Sequence, residues 1–492
     1  MSASQGSPPS GRAVFKDAIQ NTGIYFIPLF AQRICGILLL PFTSRVITTA
    51  DYGMLSMLEL ISFILSVILC GNFAGALGYF YFLKDSDSER RSVTGTAVAG
   101  ALFLGSLAAL ICWPFRALLA HSVFRSDEAL LYLSIVFITM PLGFVIEALF
   151  GWLRVANRPG AYAIGSFLKT GFTVAGILIL VVVLKFRVLG YLYTTLGVLC
   201  LMVAGLGWYC WTKVRPTFNA GLFVRMLRFA VPLGLSGVAM FIVNFGDRFI
   251  LRQYRPFSEV GIYDLAYKIG MLVSFVYGAF HAYWSAQVFQ IVRREDAKYV
   301  FGRFFTYLIL GLLFCSIVLV VGSGPGLHLL NKPFRAAAPL VPLIVGAYFV
   351  RSIGEFVRCL FLAAGHPGYE AVCNWAGGGV CVAAYFLLIP RYGMWGAAIA
   401  TGATFLVIAA ISLVWTYRLN PYRVEGVRLL KLAVAGGAAL VPHFLIPVSS
   451  LAGQIGWSVL LLATFPAVLW LLGFPTPGEW ETLRLLKRRY LA

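Results

Sequence analysis

The sequence predicts an all-α polytopic membrane protein with about fourteen transmembrane helices: two parallel-repeat six-helix lobes around a central cavity, plus two extra C-terminal helices. Three observations carry this expectation. Of 492 residues, 60% are hydrophobic and 12% charged, where soluble domains carry about a quarter charged residues. Apolar blocks long enough to cross a bilayer, roughly 17–25 residues each, recur along the whole chain and leave no room for a soluble domain. Landmarks of the first half also return, in the same order, in the second.

Apolar blocks read against charged breaks place the spans at 23–47, 54–83, 92–119, 129–153, 161–184, 188–212, 226–251, 260–290, 301–322, 337–364, 371–390, 394–416, 428–448 and 455–473. The polar, Pro/Ser-rich opening 1–22 reads as a cytoplasmic tail. It lacks a cleavage-site pattern after a short apolar core, so the first span is expected to be retained. Spans 1–6 form an N-lobe over 23–212, spans 7–12 a C-lobe over 226–416, and 428–473 holds spans 13 and 14. The remaining 474–492 is an amphipathic cytoplasmic tail. In it, Trp480, Leu483 and Leu486 lie at helical spacing beside Arg484, Lys487 and Arg488, as in an interfacial helix on an anionic inner leaflet.

An even number of spans puts both termini on one side. With that side cytoplasmic, its tails and loops hold 23 Lys and Arg and the opposite side 10, the bias of a multi-pass protein with both ends inside. The formal net charge of +20 is thereby largely topological and does not call for nucleic acid. Nine cysteines lie scattered in apolar blocks with no paired spacing, so neither a disulfide framework nor a metal site is expected.

The internal repeat is visible as four matched landmarks. Pro28 of "FIPLF" matches Pro232 of "AVPLG", and Gly53 of "TTADYGML" matches Gly261 of "FSEVGIYD". Pro159 of "ANRPGAY" matches Pro367 of "AGHPGY", and Gly190 of "RVLGYLYTTLG" matches Gly396 of "RYGMWGAAIATG". Six spans separate the copies, so the halves share one orientation and are expected to be related by an axis along the membrane normal. In such folds the substrate site lies between the lobes near mid-membrane.

The stretches "LPFTSRVITTADYGML", "VPLGLSGVAMFIVNFGDRFILRQYRPFSEVGIYDLAYKIG" and "LLIPRYGMWGAAIATGATFL" resemble the polysaccharide-transporter branch of the superfamily that includes the multidrug-and-toxin-extrusion exporters. Within that branch the chain is most similar to Wzx-type O-antigen and exopolysaccharide flippases, over essentially all of spans 1–12. The shared features are the Asp-Arg pair closing span 7, the acidic-X-Gly opening spans 2 and 8, and the Ile-Pro-X-Tyr-Gly-X-X-Gly-Ala-Ala turn before span 12. None is a catalytic motif. The resemblance implies translocation of an undecaprenyl-diphosphate-linked oligosaccharide repeat across the bacterial inner membrane by alternating access. The implied partners are that glycan and membrane lipid, with a polysaccharide polymerase and chain-length proteins as further candidates.

Six cations inside the spans are left unexplained by topology: Arg33, Lys169, Arg248, Lys268, Arg351 and Arg358. They are the candidate substrate-binding lining of a cationic cavity. Glu59, Glu147, Asp247 and Glu355 are candidates for ion coupling or structural pairing. An ionisable group at the bilayer centre costs at least about 2.5–3.5 kcal/mol, so such groups face a bundle interior or a wet cavity. In "YFVRSIGEFVRC", Arg351, Glu355 and Arg358 are spaced i, i+4, i+7 and share one helix face. One glutamate neutralises one arginine, and the surplus cation seeks an anion. The alternative is a structural ion-pair cluster.

Glu147, 208 residues before Glu355, repeats the acid in the first lobe, whereas Gly143 and Phe150 stand where the second has its arginines. Arg33 lies too deep for easy snorkelling, while Lys169 is within reach of the cytoplasmic face. Asp247 and Arg248 read as a local interfacial pair, and Lys268 with Tyr267 and Asp264 is open between site and structure. Glu59 stands at the repeat position of Tyr267. Trp284, Tyr283 and His281 read as an interfacial aromatic belt or a sugar platform.

A diphosphate head cannot cross hydrocarbon unaided, and arginine offers phosphate oxygens a permanently charged fork. With the cytoplasm negative, each negative charge carried outward gains about 2.3 kcal/mol per 100 mV. A multidrug exporter of the same fold is the nearest rival; for cationic drugs its cavity needs acids. A lipid II flippase would share the cationic lumen. A membrane glycosyltransferase or polymerase is disfavoured, because the longest outer connection, around "GSGPGLHLLNKPFRAA", is short and no nucleophile, metal or phosphate-loop spacing is present. No enzyme activity and no cofactor are expected.

Overall fold

The computed structural model describes residues 27–28, 30–70, 73–291, 295–363, 367–419, 424–446, 448 and 450–475, and every regular element among them is helical. The two tails expected at 1–22 and 474–492 lie outside the described residues, apart from 474–475. Eleven described helices are long and apolar enough to cross a membrane.

Predicted span 1 falls on a shorter apolar helix, α1 (Phe30–Thr43). Span 2 is carried by α2 (Thr49–Cys70) and α3 (Phe73–Phe82). Spans 3 to 6 correspond to α4 (Asp87–Cys112), α5 (Glu128–Val155), α6 (Pro159–Gly176) and α7 (Arg187–Val214). Span 7 is α8 (Ala220–Tyr254), and span 8 divides into α9 (Phe257–Gly270) and α10 (Val273–Ile291). Span 9 is α11 (Ala297–His328), span 10 is α12 (Val341–Ala363), and spans 11 and 12 lie in α13 (Pro367–Leu419). The last two are α14 (Gly426–Leu445) and α15 (Leu451–Leu471).

Local chemistry sets many of these ends. Ser86 accepts a hydrogen bond from Glu89 N at the start of α4, with Asp87 and Glu89 in the first turn, favourable to the positive end of the helix dipole. Asn219 and Ser450 cap α8 and α15 by accepting from Leu222 N and Gly453 N. Pro159 opens α6, where its missing N–H costs nothing. The outer connection expected around 322–337 is shorter than the sequence suggests. The α11 helix runs through Pro325 to His328, and Lys332–Leu340 winds as a 3-10 helix onto α12.

Two compact units divide between Phe245 and Gly246, within α8. The first has its core where Leu149, Trp152 and Leu153 of α5 meet Phe73 and Leu77 of α3, Val93 and Ala97 of α4, and Val198 and Met202 of α7. In lipid, such packing stabilises through close van der Waals contact rather than release of water. In the second unit α14 and α15 pack on α11 through Ile317, Val321, Leu432, Ala435, Leu461 and Phe465. The final two spans are thus built into that unit.

One pair of repeat landmarks, Gly190 and Gly396, has a packing cause. A Cβ on Gly190 would meet the Leu180 carbonyl oxygen at 3.0 Å, and one on Gly396 would collide with the carbonyl oxygen of Leu388, the residue 208 positions after Leu180. Both glycines let a helix start press against the end of its predecessor. At Gly393 (φ 56°, ψ −130°) α13 bends where spans 11 and 12 were expected to part. A Cβ there would also come within 2.8 Å of Glu259 Oε2 and 2.9 Å of Arg255 Nε. Gly393→Ala is therefore expected to destabilise the protein by roughly 1–3 kcal/mol, measured as a lower thermal midpoint in detergent; unchanged melting would show that the bend tolerates a side chain.

Candidate substrate-binding site

The candidate cations of the second unit fall into distinct environments. Arg248, near the end of α8, is 1% exposed and lies between two carboxylates. Its Nη1 donates to Asp247 Oδ1 at 3.1 Å and its Nε to Asp264 Oδ1 on α9 at 2.9 Å. Asp264 Oδ2 faces Lys268 Nζ at 3.0 Å, and the Tyr263 hydroxyl donates to Asp247 Oδ2. The Arg248 guanidinium also covers the Tyr267 ring at 4.0 Å. The interfacial local pair expected here is instead a buried four-charge network that joins two helices. Two cations and two anions balance, which is how charges survive where desolvation costs several kcal/mol per ion. Only Lys268, its side chain 40% exposed, brings the network to an open surface.

On α12 the expected shared face is present, with its charges apportioned unequally. Arg351 Nε donates to Glu355 Oε1 at 2.7 Å, and both side chains stay about one-fifth exposed. The Arg351 guanidinium lies against the rings of Phe405 and Tyr348, at 5.2 and 5.6 Å. Arg358 turns away and donates from Nη1 to Asn374 Oδ1 on α13 at 2.7 Å. Among the described residues no carboxylate forms an ion pair with Arg358, and its Nε is buried without an acceptor. Tyr277 of α10 is buried, with its ring against His281 at 5.3 Å. The result is a polar face with one neutralised and one unneutralised arginine, on rigid helices.

In the first unit, Arg33 is exposed on α1 and Glu59 is exposed on α2. Glu147 of α5 lies in the field of Lys169 of α6 and, more weakly, Arg154. Trp284 belongs neither to a belt nor to a platform. It is 0% exposed, packed against Phe280, Phe301, Phe304 and Phe356. Asn374 escaped sequence reasoning. It carries no charge, and only its approach to Arg358 across helices marks it. Among the described residues no group of three or more His, Cys, Asp or Glu is placed to hold a metal ion.

Solved structures share this succession of membrane-length helices. The lipid II flippase MurJ in an inward closed conformation superposes with a TM-score of 0.70 at 14% identity, over 91% of this chain and 98% of that one. An inward-facing multidrug resistance MATE transporter of the MOP superfamily gives 0.63 at 15%, over 80% and 94%. A Pyrococcus furiosus MOP-superfamily transporter, whose reversed pocket polarity suggests a different function, gives 0.53 at 15%, over 81% and 93%.

The chain therefore has the MOP-superfamily transporter fold. The polysaccharide biosynthesis protein family model matches residues 18–282, over half of the chain, and the chain belongs to that family. A Haemophilus influenzae protein of the Lsg locus is 24% identical over 279 residues, 53% of this chain; the match spans 62% of that protein's length. The chain is thus a multi-pass helical membrane protein of the polysaccharide biosynthesis protein family.

Replacing Arg248 by Met leaves two buried aspartates with one lysine. The expected loss is about 3–5 kcal/mol, read as failure to accumulate monodisperse protein in detergent. The double variant Asp264→Asn, Arg248→Met is expected to recover part of it. Wild-type yield and melting for Arg248→Met would mean that the network contributes nothing to stability.

Proposed function

We propose that the protein translocates a diphosphate-linked lipid oligosaccharide across the bacterial inner membrane by alternating access, and that the second unit's arginine face receives the anionic head. The observation that carries this reading is Arg358. It is a half-buried guanidinium held by a neutral amide, with an inward nitrogen lacking an acceptor. An isolated buried cation is costly, and a phosphate oxygen offers it the charge-assisted hydrogen bond that the protein withholds. Arg351, bridged to Glu355, supplies a second fork whose carboxylate can be exchanged for phosphate. Family membership in polysaccharide biosynthesis supports the glycan part of the reading.

Asn374 is central to turnover. A carboxylate in its place would form a permanent ion pair with Arg358, whereas the amide competes weakly with an incoming anion. Outward movement of a diphosphate is also favoured by a cytoplasm-negative potential. The two termini, with 23 against 10 basic residues by side, are assigned to the cytoplasm on the same reading. A polymerase and chain-length proteins would act downstream of the exported repeat.

In cells lacking the native protein, Arg358→Ala and Arg351→Ala are each expected to lower surface polysaccharide at least about tenfold, the equivalent of roughly 1.4 kcal/mol. Arg358→Lys should retain more, since it keeps the charge and loses the fork. Full export by both alanine variants would sink the assignment. Restored growth on depletion of a lipid II flippase would redirect it to that substrate, and altered drug susceptibility without a polysaccharide defect would redirect it to efflux. Asn374→Asp is expected to depress export as strongly as Arg358→Ala while leaving detergent stability equal or higher; undiminished export would show that the amide's neutrality is immaterial.

A further inference from the structure

The buried network around Arg248 and the face carrying Arg351 are physically continuous. Arg248 covers the ring of Tyr267 at 4.0 Å, and Tyr267 meets Tyr348 edge to face at 5.4 Å and 83°. Tyr348 lies one turn before Arg351 and sits under its guanidinium at 5.6 Å. Tyr267 is 1% exposed and Tyr348 is 2% exposed, so this succession of cation, ring, ring and cation runs through protein interior. Phe405 closes the other side, edge-on to Tyr348 at 5.7 Å and beneath Arg351 at 5.2 Å. Arg248 is itself immobilised by Asp247 and Asp264, and Thr401 of α13 reaches Asp247 Oδ2 at 3.5 Å.

We infer that Arg248 is a positioning residue for Arg351, acting through Tyr267 and Tyr348 to hold the Arg351 guanidinium in place to receive an anion. This rests on the reading that Arg351 contacts the diphosphate.

The internal repeat supplies a control against a purely structural role. If the network were needed simply to join the end of one span to the next, the first half would need it as well. At the corresponding positions, 204 residues earlier for the pair on α8 and 208 for the others, stand Thr43, Ser44, Ser56, Glu59 and Met140. Thr43 and Ser44 are buried and donate to carbonyls of their own helix, Leu39 O and Pro41 O. The partner of Arg351 in this comparison is Gly143. The half without the arginine also lacks Arg248, the two aspartates and both tyrosines. The ionic and aromatic parts therefore occur together with the cation they would position.

Physically, the arrangement answers a specific difficulty. Arginine has a long side chain with about 2 kcal/mol of rotamer entropy, and the Glu355 bridge must loosen when a phosphate arrives. Two aromatic faces keep the guanidinium plane in place while its hydrogen-bond partner changes.

The test is a double-mutant cycle on the full-length purified protein in detergent, with undecaprenyl diphosphate as the probe and thermal midpoints followed in parallel. Tyr348→Leu and Arg248→Lys are each expected to weaken binding about three- to tenfold, and Tyr348→Phe, which keeps the ring, to bind like the wild type. In an Arg351→Ala background the same two changes should add no further loss. Equal losses with and without Arg351 would overturn the inference while leaving the functional reading intact. Unchanged binding in Arg351→Ala itself would overturn both. Should Tyr348→Leu fail to fold, Arg248→Lys carries the same cycle.

Discussion

Charge in a hydrocarbon medium has to be solvated by the protein itself, and the second unit is organised around that requirement. Water is not available to neutralise a guanidinium or carboxylate midway through a bilayer, so each must find a counter-charge, a dipole or a cavity. Arg248, Asp247, Asp264 and Lys268 meet the condition among themselves. Arg351 and Glu355 meet it as an i, i+4 pair on one helix. Arg358 meets it only in part, through a neutral amide. The distinction between structural and functional charge is thus one of completeness. A balanced and fully buried set is committed to structure, whereas an unbalanced cation or a partly exposed pair retains affinity for something outside the protein.

The membrane-length helices were legible from composition and block length because a bilayer imposes one simple rule on every span. The turn between the eleventh and twelfth spans was legible because Gly393 adopts a conformation open to little else. The pairing of Gly190 with Gly396 could be read as a repeat and is now explained by two close approaches to a leucine carbonyl. Arg351 and Glu355 could be paired from the sequence because their partnership is one helical turn apart.

What stayed hidden is cross-helix chemistry. Arg248 meets Asp264, and Arg358 meets Asn374, each across sixteen residues and between different helices. No periodicity specifies which faces meet. Burial was misjudged for the same reason at Arg248 and Trp284. Both lie near predicted span ends, where aromatics and ion pairs ordinarily mark an interface, yet both are enclosed by neighbouring helices. Asn374 had no charge to attract notice, although it fixes a cation.

The α13 hairpin has a mechanical implication. Two membrane passes are joined at Gly393 with no intervening loop, so the connection has no slack. The carbonyl of Leu388, close against Gly396, limits how far the two passes can close on each other at that elbow. The pass bearing Asn374 and the pass bearing Thr401 and Phe405 are therefore tethered directly to each other. Longer connections elsewhere in the second unit leave more slack than this one.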